Sequence, residues 1–429
     1  MQKFDILFEN ITVVPMDDAG SVLDGAFVGV SGGKITYFGT QKPEGASARV
    51  INGAGKVLMP GFINAHTHIP MTLLRGFADD LNLQDWLFNY IFPAEAKLTD
   101  DMVYYGAQLA VMECLASGTV GVTDMYDHAM ALARALDEGG MKANISRPLM
   151  CFEPDYDPKT DIRLKELAEL ADAYHGRDGG RILVDCAIHG EYTSHAAVWE
   201  TAAGFAAERG LGIHVHISET KTEHDECVAR HGLTPAAVLE RHGVFLSRVT
   251  AAHCVHVTDE DMEIMARHGA TAVHNPVSNL KLDSGVARVG LMLENGVNVA
   301  LGTDGVSSNN SHDMLEEIKT AAMLHHGAHP LRAYGALMAA TVSGALSQGR
   351  TNETGRVAEG YDADLIMLDF DAPHLTPRHN VLSLLAYSAR GSDVCMTMVR
   401  GRVLYEKGEF LTVDRERVLS EARKIARIF

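Results

Sequence analysis

Two histidines spaced i, i+2, His66 and His68, close the short apolar run Pro60-Gly61-Phe62-Ile63-Asn64-Ala65-His66-Thr67-His68. Alternate residues of a strand share one face, so both imidazoles project the same way from a strand end and form half of a metal site. The other half should be neutral imidazole or carboxylate from distant strand ends. Ile213-His214-Val215-His216 and Gly302-Thr303-Asp304-Gly305 offer both, and His216 with Asp304 completes the set. Parity puts His214 on the face of His216, but only His216 sits at the strand tip, which leaves His214 as an interior residue. Three imidazoles and one carboxylate suit zinc, and less decisively iron or manganese, with an open position for water.

Water activated at such a site needs a group to take its proton and pass it to a leaving group. Glu219 stands three residues beyond His216, where the strand turns into its loop, a general acid/base position. His253, in Ala251-Ala252-His253-Cys254, could orient the water or bind the metal itself. Any one of these histidines alone reads more simply as a hydrogen-bonded structural residue. The joint pattern of HxH, His, Glu, His and Asp on successive strand ends argues against that.

The elements that must position these groups are legible as eight strand-like runs: Gly61–His68, Val120–Met125, Lys142–Leu149, Ile182–His189, Gly212–Ser218, Val249–Val255, Ala270–Pro276 and Asn298–Asp304. Helical stretches alternate with them; the clearest is Asp100–Ser117, with Thr99 as N-cap and Gly118 just past its end. Eight such units predict a (β/α)8 TIM barrel over residues 59–358. Nearly every run is apolar until a polar tip: His66/His68, Asp124, Arg147, His189, His216, His253, His274 and Asp304. In a barrel those tips converge on one face.

Residues 1–58 read as short strands (Ile6–Val14, Ala26–Val30, Lys34–Phe38) suited to a small antiparallel sheet, and residues 359–429 add strands at Ala363–Phe370 and Val394–Tyr405. The two ends are expected to pair as one small β-sandwich domain, with Arg415–Arg427 as a terminal helix. The fold class is therefore α/β, a barrel carrying a β domain built from both chain ends.

Composition narrows the function. The formal net charge of -19 repels a phosphate backbone, so a nucleic-acid partner is not expected and a small molecule is. No apolar run reaches membrane-spanning length, and the N-terminus lacks a signal-peptide pattern. The six cysteines are scattered without a CxxC pair, which fits small apolar filler in a reducing, cytoplasmic setting. A homo-oligomer is compatible with all of this.

The chain resembles the amidohydrolase superfamily along essentially its whole length, and within it the cytosine/adenosine deaminase-like and chlorohydrolase-like group. The likeness rests on the Pro60–His68 run, His216-Ile217-Ser218-Glu219-Thr220, Ala252-His253-Cys254-Val255-His256, His274–Leu282, and Gly302-Thr303-Asp304-Gly305 through Asn309-Asn310-Ser311. It implies one divalent metal on His66, His68, His216 and Asp304, with Glu219 as proton shuttle, His253 beside the water, and Asp304 doubling as base. Two-metal members usually bring a bridging lysine from the fourth strand; Ile182–His189 has none, so a mononuclear site follows.

Within that group the chain resembles the 5'-methylthioadenosine/S-adenosylhomocysteine deaminase family. That resemblance implies Trp86 as an aromatic wall, Glu95 as acceptor for the ribose hydroxyls, His189 as a purine contact, and Arg147 with Arg163 for an amino-acid carboxylate. Ser308, or its neighbour Ser307, would reach the base beside Asp304; helix capping is the plainer role for both serines, and core packing for Trp86. Phe77–Phe92 would be a lid. The expected reaction is hydrolytic deamination of an adenine nucleoside, a C–N cleavage on a cyclic amidine. Rival expectations are a deaminase or dechlorinase of guanine, a pterin or a triazine, and a non-catalytic metal-binding scaffold.

Overall fold

The computed structural model describes residues 2–429. Five strands open the chain: β1 (Gln2–Val13), β2 (Leu23–Ser31), β3 (Lys34–Gly39), β4 (Gly45–Asn52) and β5 (Lys56–Pro60). β2 and β3 form a hairpin closed by Gly32 and Gly33, whose φ angles of 58° and 81° suit the tight turn that glycine favours. β4 and β5 both run parallel to β1. This corrects the expectation of a purely antiparallel N-terminal sheet: after the hairpin the chain doubles back and re-enters beside the start of β1, where Gln2 pairs with Gly45.

The barrel follows as β6 (Phe62–Thr67), β7 (Thr119–Met125), β8 (Lys142–Ser146) with β9 (Pro148–Leu149), β10 (Ile182–Val184) with β11 (Cys186–Ile188), β12 (Ile213–Ile217), β13 (Val249–His253), β14 (Thr271–His274) and β15 (Asn298–Leu301). Every expected strand run is occupied. Two of them are interrupted, at Arg147 before a proline that cannot donate to the ladder, and at Asp185, whose carboxylate accepts from Asn144, Gly212 and Arg248. β8 still pairs with β10 and β9 with β11, so the wall continues across both breaks.

Closure brings the last strand against the first, with Asp304 N–H donating to the His66 carbonyl at 3.0 Å. The approach requires Gly302, because a Cβ there would lie 2.7 Å from that same carbonyl oxygen. The strand ends that carry the motif residues thus meet at one rim. At the opposite end Lys142 begins β8, buried and paired with Glu353, Asp362 and Asp364.

Four strands finish the sheet begun by the N-terminus: β16 (Leu365–Asp369), β17 (Val394–Val399), β18 (Arg402–Glu406) and β19 (Glu409–Phe410). β16 joins the halves by pairing with β5, and Phe8, Ile11, Val28, Leu58, Leu365 and Met398 fill a core of their own. Five helices matter below: α1 (Asp100–Ala116), α2 (Ile162–Tyr174), α3 (Lys221–His231), α4 (Met314–Leu324) and α5 (Arg415–Ile425). Thr99 caps α1 by accepting from Met102 N–H. The terminal helix α5 leans on α1, with the Arg417 guanidinium 5.8 Å from the Tyr105 ring centre. No helix among the described residues is long and apolar enough to cross a membrane.

Candidate active site

Each candidate metal-site imidazole is held through its Nδ1. His68 donates to the Met125 carbonyl and His216 to the His189 carbonyl, both at 2.5 Å. A carbonyl oxygen only accepts, so in both neutral rings the proton sits on Nδ1 and the Nε2 lone pair is left free. Burial depresses the basicity of all three rings, His66 to about 3, and keeps them neutral. His66 Nδ1 lies 2.8 Å from His214 Nε2, and His66 Nε2 is buried with no hydrogen-bond partner.

The free nitrogens point at one another. His68 Nε2 and His216 Nε2 stand 3.4 Å apart, and Asp304 Oδ1 lies 3.4 Å from His66 Nε2 and 3.3 Å from His68 Nε2. Lone pairs and a carboxylate oxygen gathered this closely repel unless a cation lies among them. The donor set, three imidazole nitrogens and one carboxylate oxygen, fits a divalent ion. His66, His216 and His253 form a second trio of comparable closeness.

Strained backbone marks the same rim. Ser218, His253 and Asp304 have φ of 49°, 70° and 60°, the left-handed region that side chains other than glycine avoid. His253 Nδ1 faces Asn279 Oδ1 at 2.8 Å, which turns its Nε2 toward Glu219 Oε2, 3.6 Å away. Burial, then the negative charge of Asp304, pushes the Glu219 carboxyl up to about 8.

Above this base opens a cavity of about 420 Å³, walled by Leu83, Trp86, Leu87, Phe92 and Phe152. Trp86 is buried with its indole N–H unpartnered, and Glu95 and His189 also line the wall. Burial raises Glu95 to about 8 and lowers His189 to about 3. The segment expected as a lid forms much of this wall: Trp86–Ile91 is a π-helical stretch, a rare form often found at functional sites, and Phe88 and Tyr90 face outward.

Several expected residues do not reach the cavity. Ser308 is fully buried behind Asp304, where its hydroxyl and that of Ser278 both donate to Asp304 Oδ2, at 2.8 and 2.6 Å. It therefore supports the carboxylate rather than touching a substrate base. Arg147 is also off the wall, because Asp127 and Glu166 reach its guanidinium from the end of β7 and from α2. Arg163, in the first turn of α2, does not line the cavity either; its Nε is buried and unpartnered. At other strand ends, Asp124 accepts from Ile69 N–H and fixes the turn after His68, while His274 pairs with His325 Nε2 at 3.0 Å.

The supporting groups are what sequence reasoning missed. His214, set aside as an interior residue, faces His66; its shared strand face with His216 was the available signal. Ser278 and Asn279 lie within the His274–Leu282 motif, but nothing local says that they serve Asp304 and His253, which are distant in sequence.

Comparison with known proteins places this geometry in context. The model of the amidohydrolase family matches residues 57–404. A 5-methylthioadenosine/S-adenosylhomocysteine deaminase of Syntrophomonas wolfei is 42% identical over 428 residues, 98% of each chain. A 5'-deoxyadenosine deaminase of Methanosarcina mazei is 42% identical over 427 residues, again 98% of each. Among solved structures, an adenosine deaminase from Xanthomonas campestris with bound zinc superposes with a TM-score of 0.94 at 34% identity, covering 100% of both chains.

Proposed function

Because the chain belongs to the amidohydrolase family, we propose that it is a metal-dependent hydrolase that deaminates adenine nucleosides such as 5'-methylthioadenosine, S-adenosylhomocysteine, adenosine and 5'-deoxyadenosine. The observation that carries this reading is the convergence of the His66, His68 and His216 lone pairs and the Asp304 carboxylate beneath Glu219, at the floor of an apolar cavity. Relatives with nucleoside deaminase names over the full chain support the substrate class.

In this reading His66, His68, His216 and Asp304 hold one divalent ion, zinc before iron(II) or manganese(II). Bound there, the ion supplies Lewis-acid activation of water. Trp86 gives the purine a flat apolar wall, Glu95 accepts from the ribose hydroxyls, and His189 contacts the ring. Glu219, protonated at neutral pH, gives its proton to the ring nitrogen as the water oxygen bonds to the carbon bearing the amino group. His253 orients the water and takes its first proton. The C–N bond then breaks, ammonia leaves carrying the second water proton, and His253 returns its proton to Glu219, a pair 3.6 Å apart here that closes to hydrogen-bond distance for the transfer. The products are the inosine analogue and ammonia.

The test is an ammonia and absorbance assay of the purified protein with each of those nucleosides and with guanine. Turnover of adenine nucleosides is expected, with none of guanine. No change in any adenine nucleoside at full metal occupancy would overturn the assignment.

A further inference from the structure

The turn that carries Glu219 is held by a second carboxylate. Glu223 is the third residue of α3, the position from which a capping-box glutamate reaches back to the N-cap N–H. Here the N-cap is Thr220, whose hydroxyl already accepts from Glu223 N–H at 3.1 Å. The Glu223 side chain passes Thr220 and goes further back: Oε1 accepts from Ser218 N–H at 2.9 Å and Oε2 from Glu219 N–H at 2.7 Å. Ser218 is the residue with φ of 49°, and its own carbonyl accepts from His256 N–H at 2.9 Å.

Glu223 is 4% exposed, and no ion pair to it exists among the described residues. A buried carboxylate without a cation is costly to keep. Two main-chain donors and the N-terminus of its own helix offset that cost. Capping α3 does not require it, since Thr220 performs that task. What the extra carboxylate fixes is the rotation of the Ser218–Glu219 peptide, and with it the direction of the Glu219 side chain.

We propose that Glu223 is a positioning residue for the proton step. By gripping the N–H groups of Ser218 and Glu219 together, it fixes the left-handed turn and holds the Glu219 carboxyl against His253. This inference rests on the reading of Glu219 as proton carrier. Displacement of a reacting group by about 1 Å costs on the order of 100-fold in rate. An amide at position 223 keeps the size of the side chain but turns an NH2 against one of the two main-chain N–H groups.

The experiment compares kcat and KM for 5'-deoxyadenosine, bound metal and melting temperature in wild type, Glu223→Gln, Glu223→Asp and Glu219→Gln. Glu223→Gln is expected to lose about 10- to 100-fold in kcat with KM within about threefold, to keep wild-type metal content, and to melt a few degrees lower because one buried main-chain N–H loses its acceptor. Glu223→Asp, charged but one methylene short, should fall between the two and decides the matter if Glu223→Gln does not fold. A kcat within about threefold of wild type in the folded variant overturns the proposal. So does a fall in kcat that only tracks lost metal or lost stability in both variants, which marks a purely structural residue. An inactive Glu219→Gln beside a fully active Glu223→Gln removes the positioning role alone; an active Glu219→Gln removes the reading on which it rests.

Discussion

His216 donates its Nδ1–H to the main-chain carbonyl of His189 across 2.5 Å, so a ring at the floor of the site is aimed by the backbone of a residue whose side chain lines the cavity. The two functions of position 189 are therefore separable. His189→Ala is expected to keep its metal through dialysis while losing about tenfold in kcat/KM, the worth of one hydrogen bond. Loss of metal in that variant would contradict the separation.

His214 meets His66 in the same supporting way, but through its side chain. His214→Ala should weaken metal binding by about 10- to 100-fold, the usual effect of removing a partner that orients a ligand. Competition with a chelator reads this directly, without turnover. Unchanged affinity would leave His214 as packing.

Ser308 discriminates between contact and support. Because its hydroxyl ends on Asp304 Oδ2 and not in the cavity, Ser308→Ala should lower metal affinity and kcat by a few-fold and leave KM for nucleosides unchanged. A raised KM with normal metal binding would restore the substrate contact.

Glu317, on α4, is buried and accepts from Asn309 at 2.5 Å and from Val277 N–H at 3.3 Å. Burial raises its carboxyl from 4.5 to about 8, against the opposing effect of the Asn309 hydrogen bond. The folded state thus retains a proton that the unfolded chain gives up. The stability from this group is full below about 4.5 and is lost as pH rises toward about 8. Glu317→Gln, which mimics the protonated form, should lose roughly 1–3 kcal/mol less stability than wild type between about pH 5 and pH 8. Denaturant unfolding at the two pH values measures it, and identical slopes would show that Glu317 is ionised in the folded protein.

The sequence alone determined the scaffold and the groups at its centre. Strand periodicity followed by a polar tip is a local signal, so the eight barrel runs and the positions of His66, His68, His216, Glu219, His253 and Asp304 were legible without coordinates. Strand parity even placed His214 on the correct face. Only the tertiary structure decided which tips converge and what stands behind them. Asp124, Arg147 and His274 also end their strands, yet Ile69 N–H, the Asp127 and Glu166 carboxylates, and His325 claim them. Likewise the spacing of His66 and His68 sets two imidazoles on one strand face, but their tautomers depend on Met125 and His214, which lie elsewhere in the chain. The physical reason is range: backbone geometry orders neighbours two to four residues apart, whereas hydrogen-bond partners of buried polar groups are chosen among whatever the closed barrel brings within about 3 Å.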